Sequence, residues 1–574
     1  MKDSRYIIGI DLGTTNSALT YIDTSSKTAD YEDWDIHVLN IPQFVDDGKI
    51  KELPVLPSFV YLNSEIETQA QTPLPWGRCN EYITGEFARI KGVTVPGRMV
   101  ASAKSWLCHN KVDRKDKILP FGAPVESKKI SPVTASSYYL KHLACAWNHL
   151  IAKKGREQDI FHNQHIIITI PASFDETARE LTAEAAGMAG IKDFTMLEEP
   201  QAAFYSWISK HTKDLGSYCN DGDIIFIVDI GGGTTDFNLI TFKYKDGVPA
   251  FQRVAVGEHL MLGGDNMDIA LARYVESKIS NKKLPLTSWL TLSHQCRAIK
   301  EEFLTLKDIE AVKTLSILGA GKSVIGGTIN VEISTKEVKD IILEGFFKAV
   351  DSNSSIQTRT GLMELGLPYV LQPNIGIHMS SFLKRHAVNA ELPQIKDPIS
   401  GESMVKVDAI LFNGGVFTSE ILRDRTIEII KGWMEKIGTD HKGSVPIFPL
   451  KILENDDFDL AVSIGASYYG KAQRGMGLNI SGGLGRAYYI EVEKGSQTDA
   501  DLITVVCIIP KGLEEGQELI LETPQFQVMT NNPVSFTLFS STYRVGDKIG
   551  DVIIEKRDSF TEMPPVKTKL HYGK

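Results

Sequence analysis

Residues Phe226 to Asp236 read Phe-Ile-Val-Asp-Ile-Gly-Gly-Gly-Thr-Thr-Asp. An apolar run meets one carboxylate, Asp229, and then breaks into Gly231, Gly232 and Gly233, followed by the hydroxyls of Thr234 and Thr235. That is a buried strand followed by a turn stripped of side chains. Consecutive glycines let something bulky and anionic approach the backbone N–H groups. Asp229 would repel such an anion directly, so a cation between them is the natural partner. Taken alone, the stretch reads equally well as an ordinary glycine turn. A second copy, Ile8-Gly-Ile-Asp11-Leu-Gly13-Thr14-Thr15-Asn16-Ser17, shifts that balance. Two strand–Asp–Gly–Thr–Thr units imply two related lobes, each offering a phosphate loop to one nucleotide between them.

Other phosphate-binding patterns are excluded. No Gly-x-Gly-x-x-Gly opens a helix after a strand, so the dinucleotide fingerprint is missing. Gly319-Ala-Gly321-Lys322-Ser323 looks like the tail of a P-loop, but the first required glycine falls on Ser316. Its flanks, Leu315–Leu318 and Thr328–Ile333, alternate as two strands of a hairpin would.

The elements that must hold these loops follow in chain order. Residues 5–22 read as a hairpin carrying the first loop. Residues 36–130 carry many prolines, glycines and short β-like pieces and read as an inserted subdomain. Within it, Lys104 stands among small and apolar residues, where a snorkelling surface lysine is the commoner outcome. A helical pattern from Ser131 leads to the strand His165–Ile170, which Pro171 ends. Asp175 caps a helix that stops at Gly190. Glu198 and Glu199 precede Pro200 at another helix start, as dipole partners or as functional carboxylates. Gly263-Gly264-Asp265 starts a helix; Ser334 and Glu337 form a capping box; Asn413-Gly414-Gly415 ends a third strand; Asp459 lies at the start of a further helix ending near Gln473. The second lobe spans about 221–450. Residues 474–486 read as a glycine-rich linker within which 476–486 separates a first domain, 1–475, from a small antiparallel β unit, 487–574. In that unit Tyr488–Glu493, Ile503–Ile509, Glu518–Glu522, Phe526–Met529 and Val534–Phe539 alternate as strands. Val566–Tyr572 reads as a strand cut off before its partner.

Composition bounds the rest. At 574 residues the chain exceeds a single core. A net charge of −10 and pI near 5.8 argue against non-specific nucleic-acid binding and against anionic membranes. Six scattered cysteines support neither a disulfide framework nor a zinc site. The first residues show no apolar signal region, and apolar runs are strand-length, so a cytoplasmic protein is expected.

In this combination and order, the paired Asp–Gly–Thr–Thr units, Glu-Glu-Pro, Gly-Gly-Asp-Asn and Asn-Gly-Gly resemble the seventy-kilodalton heat-shock chaperones over roughly residues 5–473. The resemblance implies an α/β fold, with a two-lobed actin-like (ribonuclease-H-like) ATPase domain followed by the small antiparallel β domain. It implies ATP or ADP with magnesium, with potassium as a further candidate ion, and hydrolysis of ATP to ADP and phosphate. Carried over, Gly13, Thr14, Thr15 and Asn16 hold phosphates from one lobe, and Gly231, Gly232, Gly233 and Thr234 from the other. Asp11 and Asp229 match the carboxylates that hold magnesium through water, with Asp236 close by. Lys104 matches the lysine that positions the attacking water and Glu199 the carboxylate facing it; Asp229 and Thr234 join them in the catalytic set. Gly263, Gly264, Lys300, Gly414, Gly415 and Asp459 match the nucleoside pocket. Pro171 and Arg179 match an interdomain relay. Two departures stand out. Arg297 and Glu301 reverse the family's charges at both positions, and Val416-Phe417-Thr418 replaces its Ser-Thr-Arg. Both imply a base pocket unlike the family's.

The resemblance brings unfolded or client polypeptide as partner, with a co-chaperone or nucleotide-exchange partner. The C-terminal β unit is similar to part of the peptide-binding sandwich, without a helical lid. Two other functions fit the same fold: a small-molecule kinase, and a nucleotide-switched scaffold or filament protein with low turnover.

Overall fold

In the computed structural model, strand Tyr6–Leu12 pairs antiparallel with Asn16–Asp23 and parallel with His165–Ile170, which pairs parallel with Thr195–Glu198. The second sheet repeats this arrangement. Ile224–Ile230 pairs antiparallel with Thr235–Lys245 and parallel with Ala409–Asn413, which pairs parallel with Lys451–Leu453. In both sheets an Asp–Gly–Thr–Thr unit forms the tip of the antiparallel hairpin. The central strands are mostly apolar because helices cover both faces, and every residue of His165–Ile170 and Ile224–Ile230 is buried. This mixed α/β architecture is consistent with an actin-like fold. The structure describes residues 4–569 apart from 26–33, 65–72, 78–80, 110–111, 125, 153–155, 259, 280–283, 319–327, 351–362, 365–366, 369, 389–391, 397–400, 439–448, 482, 484–485, 493–501, 514–518, 522, 525–532, 543 and 545.

Two helices, Glu199–His211 and Ala461–Gln473, lie between the sheets. Their buried core joins Ile7, Ile22 and Ile167 of the first sheet to Ile225, Ile227 and Phe242 of the second through Ala202, Ala203 and Ala466. The helices touch at Gly465, where a Cβ would stand 1.6 Å from the Ala202 carbonyl oxygen. Only glycine permits so close an approach.

Local signals set the helix ends. Asp175 accepts from the Ala178 N–H at 2.7 Å and starts the helix Glu176–Met188, and Gly190 follows it at φ 86°. Ser334 and Glu337 form the reciprocal capping box of helix Thr335–Phe346. The flanks of the apparent P-loop tail are a hairpin, Val312–Leu318 with Thr328–Ser334; residues 319–323 themselves lie outside the described residues.

The glycine-rich stretch is not simply a free connector. Ile480–Ser481 adds as a parallel edge strand beside Phe251–Gln252 of the second sheet, and the Tyr205 hydroxyl accepts from the Ile480 N–H at 2.9 Å. Beyond it, five antiparallel strands run in the order Val552–Lys556, Leu502–Ile509, Ala487–Glu491, Pro533–Ser541, Thr561–Lys569. Two expectations are corrected here. Leu519–Leu521 is not a strand, and Ile520 is 82% exposed; the expected strand Phe526–Met529 lies outside the described residues. The final strand begins at Thr561 and is paired along its length with Pro533–Ser541, not left without a partner. Among the described residues no helix is long and apolar enough to cross a membrane.

Candidate functional site

The two hairpin tips face each other across a cleft of about 470 Å³, within the size range of small-molecule sites. Asp11, Gly13, Thr14, Thr15 and Asn16 form one wall, and Asp229, Gly231, Gly232 and Thr234 the other. Lys104, Glu199, Gly264, Lys300, Gly414, Gly415 and Asp459 also line it. Gly233 and Gly263 lie behind the wall. A Cβ at Gly233 would press on Ser105, and one at Gly263 on the Gly231 and Gly232 carbonyls, so these glycines let neighbouring loops pack. Gly414 takes φ 88° and packs against the Ile230 carbonyl.

Both strand-end aspartates are held alike. The Thr169 hydroxyl donates to Asp11 at 3.3 Å from the adjacent parallel strand. Asn413, in register with Asp229 on its own parallel neighbour, donates to it at 3.0 Å. The Ser173 N–H donates to Asp236 at 3.2 Å. Lys104 is ion-paired with Glu199, and both side chains are largely buried.

The cluster therefore holds four carboxylates, Asp11, Glu199, Asp229 and Asp236, around one ammonium. Burial pushes the Asp11 carboxyl up to about 7, and Glu199 adds repulsion that Lys104 and Thr169 only partly offset. Burial, then Glu199 and Asp236, raise Asp229 well above the usual carboxylate range. Burial raises Asp236 to about 7 against the Ser173 hydrogen bonds. Burial pulls the Lys104 ammonium down, but Glu199 and Asp11 outweigh it and leave it raised. A buried excess of negative charge calls for a further cation. Oxygen donors suit a hard ion such as magnesium. Among the described residues no three His, Cys, Asp or Glu side chains converge as a metal-ligand group.

Elsewhere along the cleft, Lys300 pairs with Asp268 at 2.6 Å and donates to the Gly264 carbonyl at 2.9 Å. Asn16 donates to Asp459 at 3.1 Å, linking the two halves of the chain. Arg297 is ion-paired with Asp265 and, at 2.8 Å, with Asp268. Arg297, Glu301, Val416, Thr418 and Phe458 are also part of the lining. Arg423 stands 5.4 Å from the Phe458 ring centroid.

Pro171 and Arg179 lie away from the cleft. Pro171 follows strand His165–Ile170, and Arg179 pairs with Glu198 at 3.1 Å. Glu198 is also ion-paired with Arg253, whose guanidinium donates to the Gly483 carbonyl at 2.7 Å. Sequence reasoning did not single out Thr169, Ser173, Phe458 or Arg253. A polar residue at or next to the end of an apolar strand, as in Asn413 and Thr169, was the available signal.

A family sequence model described as Hsp70 protein matches residues 79–342, a span that holds Lys104, Glu199 and the second glycine loop. A chaperone protein HscA homolog of Acinetobacter baumannii (strain ATCC 17978) is 28% identical over 54% of this chain and 45% of its own length. One from Shewanella sp. (strain MR-7) is 26% identical over 60% and 48%. Over these spans the chain is similar to Hsp70-type chaperones. It spans about half the length of the curated relatives it matches. The matched span covers the second Asp–Gly–Thr–Thr unit, and the first unit repeats it in sequence and in strand pairing.

Proposed function

We propose that this chain binds ATP with magnesium, hydrolyses it to ADP and phosphate, and passes its nucleotide state to polypeptide or partner binding as a chaperone. The observation carrying this reading is the buried, uncompensated carboxylate cluster between two like glycine–threonine loops. Gly13–Asn16 and Gly231–Thr234 would cradle phosphates through backbone N–H groups and hydroxyls. Magnesium, when bound, would neutralise phosphate charge, with Asp11 and Asp229 facing it through water. Lys104 and Glu199, held against each other, would orient the attacking water, which is most of what phosphoryl transfer asks of a protein. Gly264, Lys300, Gly414, Gly415 and Asp459 would hold the nucleoside.

Coupling would run from Glu199 to its neighbour Glu198, then through Arg179 and Arg253 to the Gly483 carbonyl and the five-stranded unit. Arg486 donates to the Ser173 carbonyl at 3.4 Å, while the Ser173 N–H holds Asp236, so a second route joins the same parts. Client polypeptide, a co-chaperone and an exchange partner are the interactions this reading brings.

The test is phosphate release and nucleotide affinity in wild type and Lys104→Ala, with and without an unfolded peptide. Hydrolysis should vanish in the variant while ATP affinity stays within a few-fold. Equal loss of both would remove the role given to Lys104. Phosphate release that needs a small-molecule acceptor would favour a kinase instead.

A further inference from the structure

Among the described residues only two that are not glycine have positive φ, Ser102 and Asp246. Asp246 sits in the tight turn before Gly247, between strands Thr235–Lys245 and Val248–Val256, where that conformation is ordinary. Ser102, at φ 53° and ψ 32°, has no such excuse. It is the residue before the helix Ala103–Leu107, which carries Lys104. A serine there normally has extended backbone, and its hydroxyl accepts from the helix's first N–H groups. Ser102 makes no such cap. Its hydroxyl donates instead to Asp265 at 2.7 Å. Side chains in left-handed backbone persist only where the surroundings hold them there.

Asp265 is tied at its other end to the second glycine loop. Its N–H donates to the Gly232 carbonyl at 2.7 Å, and the Gly264 N–H donates to the Gly231 carbonyl at 3.0 Å. Its carboxylate is buried and ion-paired with Arg297, which Asp268 also holds. One residue thus joins the glycine loop of the second half to the helix bearing Lys104 in the first.

We propose that Ser102 and Asp265 form a latch that positions Lys104 over the second glycine loop, with Arg297 as the latch's counter-charge. The latch rests on the ATPase reading for its consequence, but not for its existence. It gives Arg297 a purpose of its own: paired with Asp265 and Asp268, it holds the Asp265 carboxylate in place beside Ser102. Ser102 and Asp265 are positioning residues, acting through Lys104.

The full chain, wild type and with Ser102→Ala, Ser102→Gly or Asp265→Asn, is assayed in three ways: single-turnover ATP hydrolysis, titration with a fluorescent ADP analogue, and backbone hydrogen exchange of residues 99–109 and 262–270 without nucleotide. Ser102→Ala should slow the single turnover 10- to 100-fold while ADP affinity stays within threefold. Ser102→Gly, comfortable at this φ but lacking the hydroxyl, should lose as much. Asp265→Asn, which keeps an acceptor for Ser102, should lose less. Exchange should quicken in both segments in Ser102→Ala. The latch is overturned if Ser102→Ala turns over within threefold of wild type, if affinity falls as far as rate, or if exchange in either segment is unchanged. A wild type that hydrolyses no ATP defeats the ATPase reading, and hydrogen exchange alone then decides the latch.

Discussion

Replacing Asp11 by Asn should stabilise the nucleotide-free protein while impairing its response to magnesium and ATP. The Asp11 carboxyl rises from 3.8 to about 7, chiefly through burial and then through Glu199. A carboxyl raised in the folded state binds more protons there than in the unfolded chain. Its contribution to stability is therefore full below about pH 4 and lost as pH climbs through about 7. A shift of about three units corresponds to ~4 kcal/mol at full ionisation, at about 1.4 kcal/mol per unit. Roughly 2 to 3 kcal/mol of that loss develops between pH 5 and pH 8. Asparagine stays neutral and can still accept from Thr169, and the attraction of Lys104 is already contained in the net shift. Allowing for relaxation of the neighbouring acids, Asp11→Asn should gain about 1 to 3 kcal/mol at pH 8 and clearly less at pH 5. Thermal or urea unfolding in EDTA at both pH values measures this. Adding magnesium and ATP should raise the wild-type midpoint and move the variant's much less, because linkage stabilises only a state that binds. A variant less stable than wild type at pH 8, or one shifted equally at both pH values, would refute the claim that the cluster carries uncompensated charge.

Three other substitutions test other parts of the scaffold. Gly414→Ala should cost about 2 to 4 kcal/mol and weaken nucleotide binding, since φ is 88° and the added Cβ would meet the Ile230 carbonyl at 2.2 Å and Asp229 at 2.8 Å; calorimetry and nucleotide titration read both effects. Ser334→Ala should cost about 1 kcal/mol through loss of the capping box and leave nucleotide affinity unchanged, as measured by chemical denaturation and titration. Arg253→Ala should free the stretch around Gly483 from the second sheet, so that trypsin cuts after Arg474 and Arg486 at least several-fold faster than in wild type.

Much of the scaffold is legible because its determinants are local. Asp175 and Ser334 mark helix starts through hydrogen bonds made within three residues. The central strands announce themselves as largely apolar runs, residues 166–168 and 224–228, since both faces are covered. The last strands are another matter. Thr561–Lys569 contains Pro564 and Pro565, which argue against a strand until it is known to lie at a sheet edge. Leu519 and Ile520 pull the other way: their apolar pair suggests a strand, yet they lie exposed outside any sheet.

The cleft divides along the same line. Its glycines and aspartates are readable because the pattern occurs twice, and two occurrences outweigh the weakness of each. Thr169 and Asn413 acquire meaning only from the register of parallel strands joined by long crossovers, which no local rule supplies. Arg297 shows the limit most clearly. In the sequence it is a charge of unexpected sign, and a base pocket is the obvious place to look for its effect. In the fold Asp265 and Asp268 pair with Arg297 beside the second glycine loop, and both Arg297 and Glu301 line the cleft. The two reversals therefore sit differently: Arg297 is held by two acids of the helix that follows Gly263, and Glu301 adds a carboxylate to the lining of the cleft. A single substitution pattern read along the chain cannot separate them, because the distinction lies in which acids the fold brings within reach.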